Sequence, residues 1–213
     1  MINHEQRFIF IHVPKAAGTS IENTLFDPED LILSPQKPDE IERSQRVLFG
    51  QDPISKRYLQ HLTAEEIRML IPSGEKCLKD YFKFTFVRNP WDRAVSEWKW
   101  RQKINNKLFG NMSFDSFLKN FLAKRLNEDH FMPQYKYIFD SKNECMVDFI
   151  GRFEKINEDF AYVCGRINQS KKDLAHSNQT KRKKHYSQYY TDPLKDLISD
   201  IYEKDIKLFQ YEY

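Results

Sequence analysis

Two short stretches of the chain hold the residues best suited to bind an anion. In Pro14-Lys15-Ala16-Ala17-Gly18-Thr19-Ser20, a cation, a glycine and two hydroxyls crowd into seven positions, spaced only by alanines. Ile21 to Phe26 follows at helical spacing, so the hydroxyls fall at a helix start, where backbone N–H groups converge and the helix dipole favours negative charge. Arg88 and Ser96 form the second set, and they suit a second anion held through the fork of a guanidinium. His61 adds an imidazole, the side chain whose ordinary titration range suits a general base near neutral pH.

The elements that must carry these residues are readable on either side of them. Phe8 to Val13 is an apolar run interrupted only by His12, the pattern of a strand buried on both faces, and Pro14 ends it. Within that strand His12 reads as a packed core group. Tyr81 to Val87 is a second apolar strand, and Pro90 suits the first turn of the helix after it, whose Trp91, Val95 and Trp98 share one face. Val47 to Gly50 reads as a short strand and Met146 to Ile150 as a third main one. Helices are expected over 113–126, from an Asn157 cap to about Ile167, and from an Asp192 cap to Phe209. Thr63-Ala64-Glu65-Glu66 has the spacing of a capping box for a helix that Pro72 and Gly74 would close, which places His61 on the loop just before it. Strands alternating with helices predict an α/β layered domain with a mainly parallel central sheet flanked by helices. In such a sheet ligands bind at the carboxyl ends of the strands, where both turns lie.

Composition narrows the class. The 213 residues fit a single domain over 1–213, and 40% hydrophobic with 15% aromatic residues describes a globular chain, 17 Phe and 11 Tyr filling the core. A net charge of +3 is too mild to point to nucleic acid. Cys77, Cys145 and Cys164 show neither paired nor zinc-ligand spacing, so a reduced, cytoplasmic setting is expected. The N-terminus lacks a signal peptide's apolar core, and no apolar run reaches the ~20 residues of a membrane span. The sequence does not speak to oligomeric state. Lys181, Arg182 and Lys183 stand in a basic stretch, 170–188, that reads as an exposed loop.

The order of the first turn separates it from the triphosphate loop, G-x-x-x-x-G-K-[ST], in which the lysine follows the last glycine. Here Lys15 precedes Gly18. The run from Phe10 to Ser20, followed by Phe84 to Ser96, resembles the paired signatures of sulfotransferases that use 3′-phosphoadenosine 5′-phosphosulfate (PAPS). The likeness is greatest to the carbohydrate O-sulfotransferase branch and its bacterial relatives. It extends through Phe131 to Gln134, Ile150 to Ile156 and 189–209. The resemblance implies a P-loop-like three-layer fold, with the 5′-phosphosulfate at Lys15, Ala16, Ala17, Gly18, Thr19 and Ser20 and the 3′-phosphate at Arg88 and Ser96. Tyr58 to Thr63 is similar to the segment around the catalytic histidine of 2-O-sulfotransferases, which would make His61 the base. Where those enzymes carry a second histidine just upstream, this chain has Leu59.

The implied reaction is transfer of the sulfuryl group to a hydroxyl of an acceptor, a carbohydrate by the resemblance. Lys15 would meet the charge on the leaving phosphate, and Lys181, Arg182 or Lys183 would close over the nucleotide. The scheme requires no metal. Two other readings make different demands: a kinase using ATP and magnesium, against which the lysine order argues, and a non-catalytic module binding polyanions through residues 171–184.

Overall fold

The computed structural model describes residues 1–170, 174 and 184–213. In chain order its main elements are β1 (Ile2–Asn3), β2 (Phe8–Ile11), α1 (Gly18–Leu25), α2 (Pro38–Val47), α3 (Ala64–Leu70), α4 (Gly74–Asp80), β3 (Phe82–Val87), α5 (Pro90–Ile104), β4 (Phe149–Arg152), α6 (Ile156–Arg166), α7 (Asp192–Ile201) and α8 (Glu203–Phe209). They fall into two compact units, Met1–Val87 with Lys136–Ser177 and Arg88–Tyr135 with Asn178–Tyr213.

The first unit holds the sheet, in the order β1-β2-β3-β4. β2, β3 and β4 are parallel, with Phe10 opposite Phe84 and Phe84 opposite Phe149, and only the short β1 runs antiparallel. This is the mainly parallel α/β sheet expected from the sequence. Its interior is aromatic: Phe8, Phe10, Phe84 and Phe86 are essentially inaccessible, and the Phe10 and Phe84 rings stack at 5.2 Å. Thr85 Oγ1 donates to Ile11 C=O at 2.7 Å, which pins the last residue of β2 to β3.

In the second unit Asn89 caps α5, its Oδ1 accepting from Trp91 N–H at 3.0 Å and Asp92 N–H at 3.3 Å. Trp91, Val95 and Trp98 are all buried on that helix, as their spacing predicts. Trp91 Nε1–H donates to Lys195 C=O on α7 and Tyr190 O–H donates to Trp91 C=O, so α7 and the chain just ahead of it are stitched to α5.

Several boundaries differ from the sequence reading. Val47 to Gly50 is not a strand: Val47 closes α2, Leu48 turns left-handed at φ 56°, and the apolar side chains are buried at a helix end. The third main strand lies at 149–152, later than 146–150. Asn157 sits inside the first turn of α6, behind a Lys155 cap. Gly74 opens α4 instead of merely closing α3, and Thr191 rather than Asp192 caps α7. The helix expected over 113–126 starts at its Ser113 cap but becomes a wide π turn over Phe117–Leu122, where Ala123 N–H reaches back to Leu118 C=O at 3.0 Å.

Candidate active site

The first turn is built where β2 stops and α1 starts. Lys15 and Ala17 both adopt left-handed backbone, φ 70° and 73°. Left-handed backbone costs a non-glycine residue about 1 kcal/mol or more, and such residues cluster at ligand clamps. Ala17 is the N-cap residue of α1, and its C=O accepts from Ser20 N–H at 3.0 Å and Ile21 N–H at 3.2 Å. The Ser20 amide is therefore used inside the turn, so Ser20 would reach a ligand through its hydroxyl. Thr19 is exposed, Lys15, Ala17 and Ser20 are half-buried, and Ala16 and Gly18 are buried.

Gly18 is a glycine for a reason the sequence does not show. A Cβ there would lie 2.0 Å from His12 Nε2 and 2.2 Å from its Cδ2. The imidazole fills the space that a side chain at position 18 would need. His12 is thus not simply core packing. It lies just past β2, only 6% exposed, and its Nδ1 is 2.6 Å from Glu22 Oε1 on α1. Burial pushes the Glu22 carboxyl up, but the charge of His12 and its hydrogen bond, with help from the Met1 ammonium and then His61, outweigh that and leave Glu22 below its ordinary 4.5. Glu22 is therefore a carboxylate at neutral pH and accepts from His12 Nδ1–H, which fixes the ring's orientation.

His61 closes this cluster. Its ring meets His12 edge to face at 5.1 Å between centroids, and it is 7% exposed. It sits on a tight helical turn, Leu59–His61, pinned by two bonds to Gly50: Leu59 N–H donates to Gly50 C=O, and Gly50 N–H donates to Gln60 Oε1, both at 2.9 Å. Behind it the capping box forms as expected, with Glu66 N–H to Thr63 Oγ1 at 3.1 Å and Thr63 N–H to Glu66 Oε2 at 2.9 Å. The first unit thus brings the Lys15–Ser20 turn, His12, Glu22 and His61 together. His12 looks like core in the sequence and Glu22 stands out only as an acid four residues past Gly18, the one local signal that points to the pair.

The second unit carries Arg88 and Ser96, 8% and 7% exposed. Asp92 Oδ2 accepts from Arg88 Nε at 2.9 Å and from Nη2 at 2.8 Å, so the guanidinium is aimed by a carboxylate one turn along α5. His130, just ahead of the Phe131–Gln134 segment, is held by Glu97 Oε2 at 2.9 Å and stacked on Trp100 at 4.8 Å. Lys181, Arg182 and Lys183 lie outside the described residues. Among the described residues no cluster of His, Cys, Asp and Glu could hold a metal ion, and no helix is long and apolar enough to cross a membrane.

A mainly parallel α/β sheet with a strand-to-helix turn whose lysine precedes its glycine puts the chain in an α/β class whose turn differs in order from the triphosphate loop. A model of the sulfotransferase family matches residues 1–212, and the chain belongs to that family. Carbohydrate sulfotransferase 14 of Danio rerio is 26% identical over 195 residues, 78% of this chain; the chain spans about half of that relative, 47% of its length. An uncharacterized protein of Archaeoglobus fulgidus is 35% identical over 95 residues, 44% of this chain and 73% of that protein. Among solved structures, mouse sulfotransferase SULT7A1 complexed with PAP shares the fold at a TM-score of 0.58 and 15% identity, covering 99% of this chain and 91% of that one.

Proposed function

We propose that the protein is a PAPS-dependent O-sulfotransferase acting on a hydroxylated acceptor, a carbohydrate, and that its two units work as one transferase domain. The observation that carries this reading is the turn between β2 and α1. Its left-handed Lys15 and Ala17 bend the backbone into a tight turn at a helix start, suited to hold an anion, with the lysine ahead of the glycine where triphosphate loops carry it after. The match to a carbohydrate sulfotransferase supports the acceptor class, and the fold shared with a PAP-bound enzyme supports the donor. Three free thiols, Cys77, Cys145 and Cys164, support a cytoplasmic setting.

PAPS supplies the sulfuryl group as an electrophile with a phosphate leaving group. In this reading Lys15, the turn from Ala16 to Thr19 and the Ser20 hydroxyl hold the 5′-phosphosulfate, and Arg88 and Ser96 hold the 3′-phosphate. Lys181, Arg182 or Lys183 would meet the charge of the nucleotide. His61 takes the proton of the acceptor hydroxyl as its oxygen bonds to sulfur, while the bond from sulfur to the 5′-phosphate oxygen breaks in line. Lys15 then balances the charge left on that phosphate. Glu22 and His12 keep the turn and His61 in register, since the His12 ring touches both.

Ligand-induced shifts in melting temperature test the donor. A ligand that binds only the native state stabilises it by about 2.7 kcal/mol at a hundred times its Kd. PAP should raise the melting temperature in the absence of magnesium, and ATP with magnesium should not. A shift with ATP and magnesium alone would favour the kinase; a salt-sensitive shift with heparin and none with PAP would favour a polyanion-binding module.

A further inference from the structure

Gln134 is fully buried, and its side-chain amide makes both hydrogen bonds that a neighbouring peptide would make to Arg88. Arg88 N–H donates to Gln134 Oε1 at 2.9 Å, and Gln134 Nε2 donates to Arg88 C=O at 2.8 Å. β3 has ended one residue earlier, at Val87. Gln134 is itself clamped. Its N–H donates to Asp205 Oδ2 at 2.7 Å, and the N–H of Tyr135 donates to Asp205 Oδ1 at 2.8 Å. Asp205 lies on α8, is fully buried, and spends both its oxygens this way. The chain just ahead is also fixed, because Arg93 on α5 donates to Met132 C=O at 3.0 Å and to His130 C=O at 3.2 Å.

Arg88 is therefore held at two points. Gln134 fixes its backbone, and Asp92 fixes its guanidinium. A charged fork discriminates between ligands only if it is held in place, because a mobile arginine loses the directional part of its bond. We propose that Gln134 and Asp205 are positioning residues for the 3′-phosphate of the nucleotide: they set the Arg88 backbone so that its guanidinium recognises that phosphate. The inference rests on the reading in which Arg88 binds the 3′-phosphate. It assigns a function to the Phe131–Gln134 segment and to the C-terminal helix that contact with the nucleotide does not require.

A purely structural role for Gln134 would weaken every ligand alike. A positioning role would remove selectivity for the 3′-phosphate and leave the rest. The test is calorimetric titration of the full chain with PAP and with 5′-AMP, which lacks the 3′-phosphate, for the native protein, Arg88→Gln and Gln134→Leu. Both variants should lose PAP affinity on the order of tenfold or more, the scale of a bond to a charged group, with 5′-AMP affinity unchanged. If Arg88→Gln loses the preference for PAP while folded Gln134→Leu keeps it, or Gln134→Leu weakens both ligands equally, the positioning role is overturned. If Arg88→Gln itself keeps the preference, the assignment of Arg88 to the 3′-phosphate fails, and the positioning role falls with it. Should Gln134→Leu not fold, Gln134→Glu decides the matter on the same outcomes. It keeps the shape and the acceptor for Arg88 N–H but sets a carboxylate oxygen against Arg88 C=O.

Discussion

Gly18 is the residue at which packing and chemistry meet most tightly. Its helical backbone does not demand a glycine; the His12 ring does, with three imidazole atoms within 2.4 Å of where a Cβ would stand. Because Glu22 holds that ring at Nδ1, the imidazole cannot swing aside without losing a buried hydrogen bond. Gly18→Ala should therefore destabilise the protein by about 1–3 kcal/mol, the usual range for overpacking a filled site. Adding His12→Ala to Gly18→Ala should recover part of that loss, a coupling that urea unfolding of the two single variants and the double variant would measure. Additive losses would show that the ring is not what excludes a side chain at 18. His61, which touches the same ring, would then lose its link to the turn.

At the scale of elements, the Glu22–His12 pair joins α1 to the end of β2 and gives that joint a pH dependence of known sign. Glu22 sits below its ordinary 4.5 in the folded chain, so the stability it contributes is present above pH 4.5 and lost as pH falls through the folded value. The stability gap between the native protein and Glu22→Gln should narrow as pH falls below about 4.5. Thermal unfolding from pH 3 to 7 would follow this, and a gap that widened toward acid would contradict it. Elements with local signals were legible in the sequence. Pro14 and Pro90 punctuate the two turns, and the Thr63 capping box forms with its expected partners. The misreadings arose where tertiary packing outweighed local pattern. Val47, Leu48 and Phe49 look like a strand because they are apolar, yet Val47 ends α2, Leu48 caps it, and all three are buried there. The regular spacing of Phe114, Phe117, Phe121 and Leu122 gives no warning of the π turn that accommodates them. The clamp on Arg88 was out of reach for a different reason. Gln134 and Asp205 lie 46 and 71 residues from their partners, and no local periodicity ties them together.

For the molecule as a whole, the family, the parallel sheet and the turn between β2 and α1 all support sulfuryl transfer, while the choice of acceptor is expected to lie with surface loops, which carry binding residues in most folds. Membership of the sulfotransferase family gives the reaction class, and in the proposed reading the residues of this chain divide the work: Lys15 for the leaving phosphate, Arg88 for recognition of the nucleotide, His61 for the acceptor proton. That division makes Lys15 and His61 separable. Removing a preorganised charge partner of the transition state typically costs 10²–10³ in rate, and removing a general base about 10²–10⁴. The most direct measurement is transfer of label from sulfur-labelled PAPS to a panel of saccharides by the native protein, Lys15→Ala and His61→Ala, with PAP binding measured in parallel. The account predicts labelled saccharide with the native protein, none detectable with Lys15→Ala, and transfer lost but PAP binding kept with His61→Ala. Undiminished transfer by Lys15→Ala, or a native protein that neither binds PAP nor labels any saccharide, would contradict it.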